Sequence, residues 1–91
     1  MALVGMDTDL ATTQAQQLAT QGVDAISTLI STLDSLVGQI NSNWQGNDAN
    51  NFHNEWTSNH RTQLHNIFNS LSDFHTTFTR NIHEQIATSA S

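Results

Sequence analysis

The sequence predicts an all-α protein, an antiparallel helix-turn-helix hairpin that dimerises into a four-helix bundle. Large apolar side chains recur at steps of three and four residues in two long stretches, which is the period of one face of an α-helix. The 91 residues contain no proline that would interrupt either stretch. One cluster of turn-forming residues, which includes Gly46, separates the two stretches near the middle of the chain. We treat the chain, residues 1–91, as one domain.

The first helix is predicted over residues 7–41. Asp7 or Thr8 is suited to its start, because either side chain can accept a hydrogen bond from an unpaired N–H group of the first turn. Its apolar residues form a seam of the coiled-coil type, namely Ile26, Leu29, Leu33, Leu36 and Ile40. A flanking row at seven-residue intervals widens this stripe and consists of Val23, Ile30, Val37 and Trp44.

The turn is predicted over residues 42–48, where Asn, Ser and Gly are dense, and Asn47 or Asp48 is the expected N-cap of the second helix. The second helix is predicted over residues 49–87, followed by a short frayed tail. Its predicted core positions, again on one helical face, are Phe52, Trp56, Leu64, Ile67, Leu71, Phe74 and Phe78.

Both apolar stripes are wider than the strip that one helix buries against another. Two helices alone also enclose little interior, and chains this small are marginally stable. Two hairpins packed face to face as a four-helix bundle bury the remaining apolar side chains. We therefore expect a dimer in which the two series of residues form the hairpin and dimer core.

Composition argues against several classes of partner. Eight Asp and Glu against two Arg and no Lys give a formal net charge of −6. Nucleic acids and anionic membranes both recruit clustered basic side chains, so we expect neither partner. The N-terminus lacks the basic patch and long apolar stretch of a cleaved secretory signal, and its apolar run Ala2–Val4 is too short to span a bilayer.

No group of residues points to catalysis or to a cofactor. The chain has no Cys nucleophile, no glycine-rich phosphate loop and no carboxylate pair on one helix face, so we expect a non-enzymatic protein. The five histidines follow one another at intervals of seven, five, ten and eight residues. Two metal ligands on one helix face need a spacing of three or four, so no metal site is expected. His60 interrupts the apolar series of the second helix and is expected to be a polar interface residue.

A short motif marks the turn. Trp44-Gln45-Gly46 is followed at helical spacing by Ala49, Phe52 and Trp56. A glycine here can adopt the positive φ that a sharp reversal requires. The indole of Trp44 can seal the ends of both helices or serve as an exposed docking feature, and the sequence leaves both roles open.

The pattern W-x-G-x-x-A-x-x-F-x-x-x-W, in a chain of this length and layout, resembles the WXG100 (ESAT-6-like) family of small secreted proteins. The resemblance implies secretion without a cleaved signal peptide through a type VII (ESX) system, with Trp44 and Gly46 as the turn and export motif. It also implies a homodimer, or a heterodimer with a second WXG100-type protein, that the membrane-bound secretion ATPase recognises.

One feature of many such pairs is missing. In those pairs one partner carries Y-x-x-x-[DE] beyond its second helix, whereas this chain has no Tyr and has Arg80 four residues before Glu84. Either a partner chain supplies the export tail, or a homodimer follows another targeting rule, and the missing motif favours the heterodimer.

The leading hypothesis is a secreted protein that acts through protein–protein contacts. A membrane-active effector whose helices insert into a bilayer is one alternative. An adaptor or chaperone that escorts a larger type VII toxin is another.

Overall fold

The chain folds as two helical arms joined by one bend, as seen in a computed structural model that describes residues 5–90. The first arm consists of α1 (Thr8–Gln17), a first π-helical segment (Leu18–Val23) and α2 (Asp24–Ser42). The second arm consists of α3 (Asn47–Glu55), a second π-helical segment (Trp56–His60) and α4 (Arg61–Ala90). Within these described residues there is no strand, and the predicted all-α helical hairpin is confirmed. The apolar run Ala2–Val4 lies outside them.

The two arms start in different ways. Asp7 caps the first arm as predicted, and its Oδ1 accepts a hydrogen bond of 3.0 Å from the backbone N–H of Leu10. The N-cap of the second arm is Gly46, without a side-chain cap, and Asn47 is already helical. The prediction of Asn47 or Asp48 as N-cap is therefore wrong, because the glycine that reverses the chain is also the N-cap of the new helix.

The second arm is longer than its predicted range. It begins at Asn47 and continues to Ala90, whereas residues 49–87 were expected. The residues expected to fray are thus helical up to Ala90.

Few side chains are buried between the arms, and most of them are small. Those with the least exposed surface are Ala11, Ala15, Ile30, Val37, Ala49, Trp56 and Ile82. Near the open end of the hairpin, Ala11 and Ala15 of α1 pack with Ile82 of α4, and Met6 and Phe78 lie against this cluster. The alanines let the two helices approach closely there.

The hairpin is a thin rod. It measures 66 × 17 × 15 Å, with a radius of gyration of 19.8 Å, whereas a compact chain of this length has a radius of gyration of about 12 Å. Its accessible surface is 6523 Å², against about 5,200 Å² for a compact monomer of this mass. A single hairpin therefore leaves more surface in water than a folded protein of its size usually does.

Candidate interaction surfaces

A single hairpin buries little of the predicted core. Of those residues, all of which lie in the described part of the chain, only Trp56 is buried. Half-buried ones are Ile26, Leu33, Ile40, Leu64, Leu71 and Phe78. Exposed ones are Leu29, Leu36, Phe52, Ile67 and Phe74. The contact between the arms runs instead through Ile30 and Val37, which the periodicity placed in a flanking row.

The exposed leucines of α2 lie beside this contact. Leu29 and Leu36 each precede a buried residue, Ile30 and Val37. Consecutive helical residues are about 100° apart, so both leucines point to one side of the line that faces the second arm. Asp34, four residues after Ile30, lies about 40° to the other side.

The second arm also exposes large apolar side chains on one side of its contact with the first arm. Ile67 and Phe74 are exposed on α4, and both lie roughly 120–140° around the helix from Arg61. Arg61 and Asp34 contact each other, so they mark one face of the hairpin. The exposed rows of both arms lie across the seam from that pair and share the opposite face.

We call this opposite face, formed by Leu29, Leu36, Ile67 and Phe74, the apolar face. The exposed fractions of these four residues lie between 42% and 63%. Four large apolar side chains in one area are more than the scattered single ones that any protein surface carries. The apolar face is therefore the candidate surface of the hairpin for burial against another protein.

The other face, which we call the polar face, is built around Asp34 of α2. Its Oδ1 accepts hydrogen bonds from Trp56 Nε1 and from Arg61 Nε, each at 2.9 Å, and its Oδ2 lies 3.1 Å from the same Arg61 nitrogen. The bonds connect residues 22 and 27 positions apart in the chain. This cluster holds the first arm in one rotational setting against the second.

The second π-helical segment is what brings the two donors together. Trp56 and Arg61 are five residues apart, and in a regular α-helix that spacing would separate them by about 140°. A π turn, with its i→i+5 hydrogen bonds, places residues five apart nearly above one another. The same widened turn brings His60 Nε2 to 3.4 Å from Glu55 Oε1.

Arg61 and Trp56 also set the charge state of Asp34. The hydrogen bond from the Arg61 guanidinium, then that from the Trp56 indole, lowers the pKa of the Asp34 carboxyl, and both outweigh the opposing effect of burial. Asp34 is thus ionised at neutral pH and forms a charged pair with Arg61.

The bend carries an aromatic pair. Gly46 has φ 110°, the positive value predicted for it, and is the one described residue with a positive φ. The rings of Trp44 and Phe52 pack at 5.6 Å between centroids, tilted by 52°. Both side chains are nevertheless exposed, so Trp44 covers the start of the second arm and still presents its indole to solvent.

The histidines lie apart from one another along the second arm. Among residues 5–90 no group of three or more His, Asp or Glu side chains could hold a metal ion. His60 is exposed beside Glu55, and His75 and His83 flank Arg80, which lies 3.9 Å from Glu84. None of the helices in residues 5–90 combines the length and the hydropathy of a membrane span.

The spacing analysis missed Asp34 and Arg61. Spacing along a single helix does not indicate this pair, because it joins two helices. One signal was available, since Asp34 interrupts the apolar stripe of the first helix next to Leu33. A buried or half-buried acid there requires a donor on the facing arm.

Comparison with family models, with characterised proteins and with solved structures finds no match to this chain.

Proposed function

We propose that the protein is a non-enzymatic WXG100-type (ESAT-6-like) protein that a type VII secretion system exports as a folded dimer. After export it acts through contacts with other proteins. The observation that carries the proposal is the place of Trp44 and Gly46 at the bend of an all-helical hairpin. The residues that carry the resemblance to the family thus lie at the bend, and the exposed indole of Trp44 is accessible to export machinery there.

The apolar face supports the dimer. Fully burying a Leu, Ile or Phe side chain is worth about 1.5–3 kcal/mol, so the half-exposed residues of the apolar face offer roughly 1 kcal/mol each. Summed over the four residues and both copies, this burial energy is of the same order as the free energy that two chains lose in rotational and translational freedom on association. The surface in excess of a compact monomer also exceeds the roughly 800 Å² that each partner buries in a standard interface.

The charge distribution is compatible with this pairing. The chain carries a net charge of −6, but the residues that define the apolar face are uncharged, so two acidic chains can meet there without direct contact between like charges.

The partner is a second copy or another WXG100-type protein. Light scattering and circular dichroism of the purified chain separate the two. A helical species of twice the 10.0 kDa chain mass identifies a homodimer, and a weakly helical monomer indicates a missing partner.

A charge placed on the apolar face tests the dimer. We expect Phe74→Asp to raise the dimer dissociation constant at least tenfold, because the carboxylate would be desolvated in both copies. Ile86→Asp is the matched control, since Ile86 is also exposed on α4 but lies about 100–120° around the helix from Ile67 and Phe74. Equal effects of the two substitutions would remove the apolar face as the dimer surface.

Trp44→Ala tests the export role of the bend. The variant and wild type are produced in a host with an intact type VII ATPase and in one that lacks it, and the fraction in the culture medium is measured. We expect wild-type export to require the ATPase and Trp44→Ala to lower export several-fold while helicity and dimer mass stay unchanged. Ile86→Ala, which removes an equally exposed apolar side chain far from the bend, should be exported normally.

Two results would overturn this assignment. One is release of the wild type without the ATPase. The other is a parallel loss of export and helicity in Trp44→Ala, which would make Trp44 structural only. Release of dye from liposomes by the wild type would favour the membrane-active alternative instead.

A further inference from the structure

The polar face contains a cleft that neither the bend nor the apolar face uses. It lies between α2 and α4 next to the Asp34–Arg61 pair and has a volume of about 200 Å³. Its lining residues are Ser27, Ile30, Ser31, Arg61, His65 and Phe68.

The cleft gathers hydrogen-bond donors around an apolar floor. Arg61 binds Asp34 through Nε, and among the described residues its two terminal Nη nitrogens have no partner. The hydroxyls of Ser27 and Ser31 are likewise without a partner in that part of the chain, and the His65 ring lies edge-on to Phe68 at 6.3 Å. Ile30, which is buried, closes the floor.

This donor set fits a carboxylate. The Nη1–Nη2 edge of a guanidinium matches the two oxygens of a carboxylate, and serine hydroxyls can donate to the same group. Asp34 fixes the Arg61 side chain through Nε, which leaves that edge ordered before any ligand arrives. Such pre-ordering reduces the entropy lost on binding.

The size and floor of the cleft restrict what the carboxylate is attached to. Pockets for drug-sized ligands measure about 300–1,000 Å³, so this cleft holds a group no larger than one amino-acid side chain. Ile30 and Phe68 favour an apolar stem over a polar one. The net charge of −6 repels anions at long range, so binding depends on these direct contacts and is weak.

We propose that the cleft binds a carboxylate group on a short apolar stem, with Arg61, Ser27 and Ser31 holding the carboxylate and Ile30 and Phe68 holding the stem. Two sources share this chemistry, a free small organic acid and the C-terminal residue of a polypeptide. The site is independent of the dimer, because it lies across the hairpin from the apolar face.

Titration followed by NMR tests the site with a built-in reporter. The chain has two tryptophans, and the indole N–H of Trp56 is bonded to Asp34 whereas that of Trp44 lies at the bend. We expect 3-phenylpropionate at constant ionic strength to shift the Trp56 and His65 signals with a millimolar dissociation constant and to leave the Trp44 signal in place. The neutral 3-phenylpropionamide should bind at least tenfold more weakly.

Three variants show whether the binding is specific. Arg61→Gln should abolish binding, and the Ser27→Ala, Ser31→Ala double variant, which leaves the ion pair with Asp34 intact, should weaken it about three- to tenfold. Arg80→Gln removes the other arginine of the chain from the same helix and should leave the dissociation constant unchanged.

The source is identified by a second probe, a tripeptide that ends in phenylalanine with a free carboxylate. Tighter binding of the tripeptide than of the acid supports a polypeptide C-terminus, and binding of the acid alone supports a small metabolite-like acid. Absence of any Trp56 shift with both probes overturns the proposal. So does an equal loss of affinity in Arg80→Gln or equal affinity for the amide.

Discussion

Deletion of one residue from the second π-helical segment tests the role of that segment in the fold. Trp56 and Arg61 both reach Asp34 because the widened turn aligns residues five apart. Without Ser58 they are four apart, and a regular α-helix then places them about 40° from each other. Both donors can still reach Asp34, and α4 keeps its orientation toward the first arm.

Deletion of Ser70 is the matched control. Both residues are exposed serines of the second arm, but Ser70 lies in the regular helix α4. Its removal rotates the two parts of α4 against each other by about 100°. Either Ile82 leaves its contact with Ala11 and Ala15, or Trp56 and Arg61 leave Asp34.

The expected magnitudes differ clearly. Full exposure of Ile82, which is almost completely buried, costs about 1.5–3 kcal/mol. Half-buried residues become exposed together with Ile82, so the Ser70 deletion should lower the free energy of unfolding by about 3–5 kcal/mol. The whole free energy of unfolding of a chain of this length is roughly 5–14 kcal/mol. The Ser58 deletion should change the free energy of unfolding by less than about 1 kcal/mol, because the exposed hydroxyl donates only to the Asn54 carbonyl of its own helix.

Thermal unfolding followed by circular dichroism, at one protein concentration, measures the difference. A loss of 3 kcal/mol lowers the melting temperature of a domain this small by at least about 12 °C. The Trp56 indole N–H signal should persist in the Ser58 deletion. If both deletions melt alike, or if the Ser58 deletion loses that signal, the π-helical segment does not align Trp56 with Arg61.

Three further substitutions test the polar face and the glycines. Asp34→Asn should lower the free energy of unfolding by about 1 kcal/mol at pH 7, a modest value because both partners keep more than a third of their side-chain surface in water. Since Arg61 and Trp56 lower the pKa of Asp34, this contribution is complete above the unfolded value of about 3.9 and is lost as the pH falls through the lower folded value. Urea unfolding of wild type and variant should therefore differ at pH 7 and converge in strong acid, and a constant difference would refute the assignment. Gly46→Ala should lower the free energy of unfolding by about 1–3 kcal/mol. The cost comes from its φ of 110° and ψ of −174°, since a Cβ there would meet nothing within 4 Å. Gly38→Ala, also in open space but inside α2, should raise the free energy of unfolding by about 0.5–1 kcal/mol. Urea unfolding measures both changes, and equal signs for the two glycines would show that the φ of Gly46 does not oppose a side chain.

The sequence predicts the path of the chain because that path depends on local rules. Steps of three and four residues predict two helices, Asp7 precedes a helix start, and Gly46 stands where the φ must be positive. The motif Trp44-Gln45-Gly46 could be located from the sequence for the same reason, because a sharp bend requires a residue that tolerates a positive φ.

The rotation of each arm could not be predicted in this way. An apolar stripe that spans Leu29, Ile30 and Leu33 offers several lines of contact, and periodicity alone ranks the coiled-coil series first. The actual line is set by Asp34, whose partner Arg61 is 27 residues away. The π-helical segments also change the rotation, because they align residues that are five apart, and no local sequence rule predicted them.

The two faces of the hairpin are therefore not independent, although they point in opposite directions. If the first arm turned by about 100°, Leu29 and Leu36 would enter the seam, while Ile30 and Val37 would become exposed. The apolar area presented to a partner would hardly change, but its shape would. Asp34 selects one of these settings, because only one places its carboxylate against Trp56 and Arg61. An ion pair that contributes little to stability thus decides which leucines the protein offers for assembly.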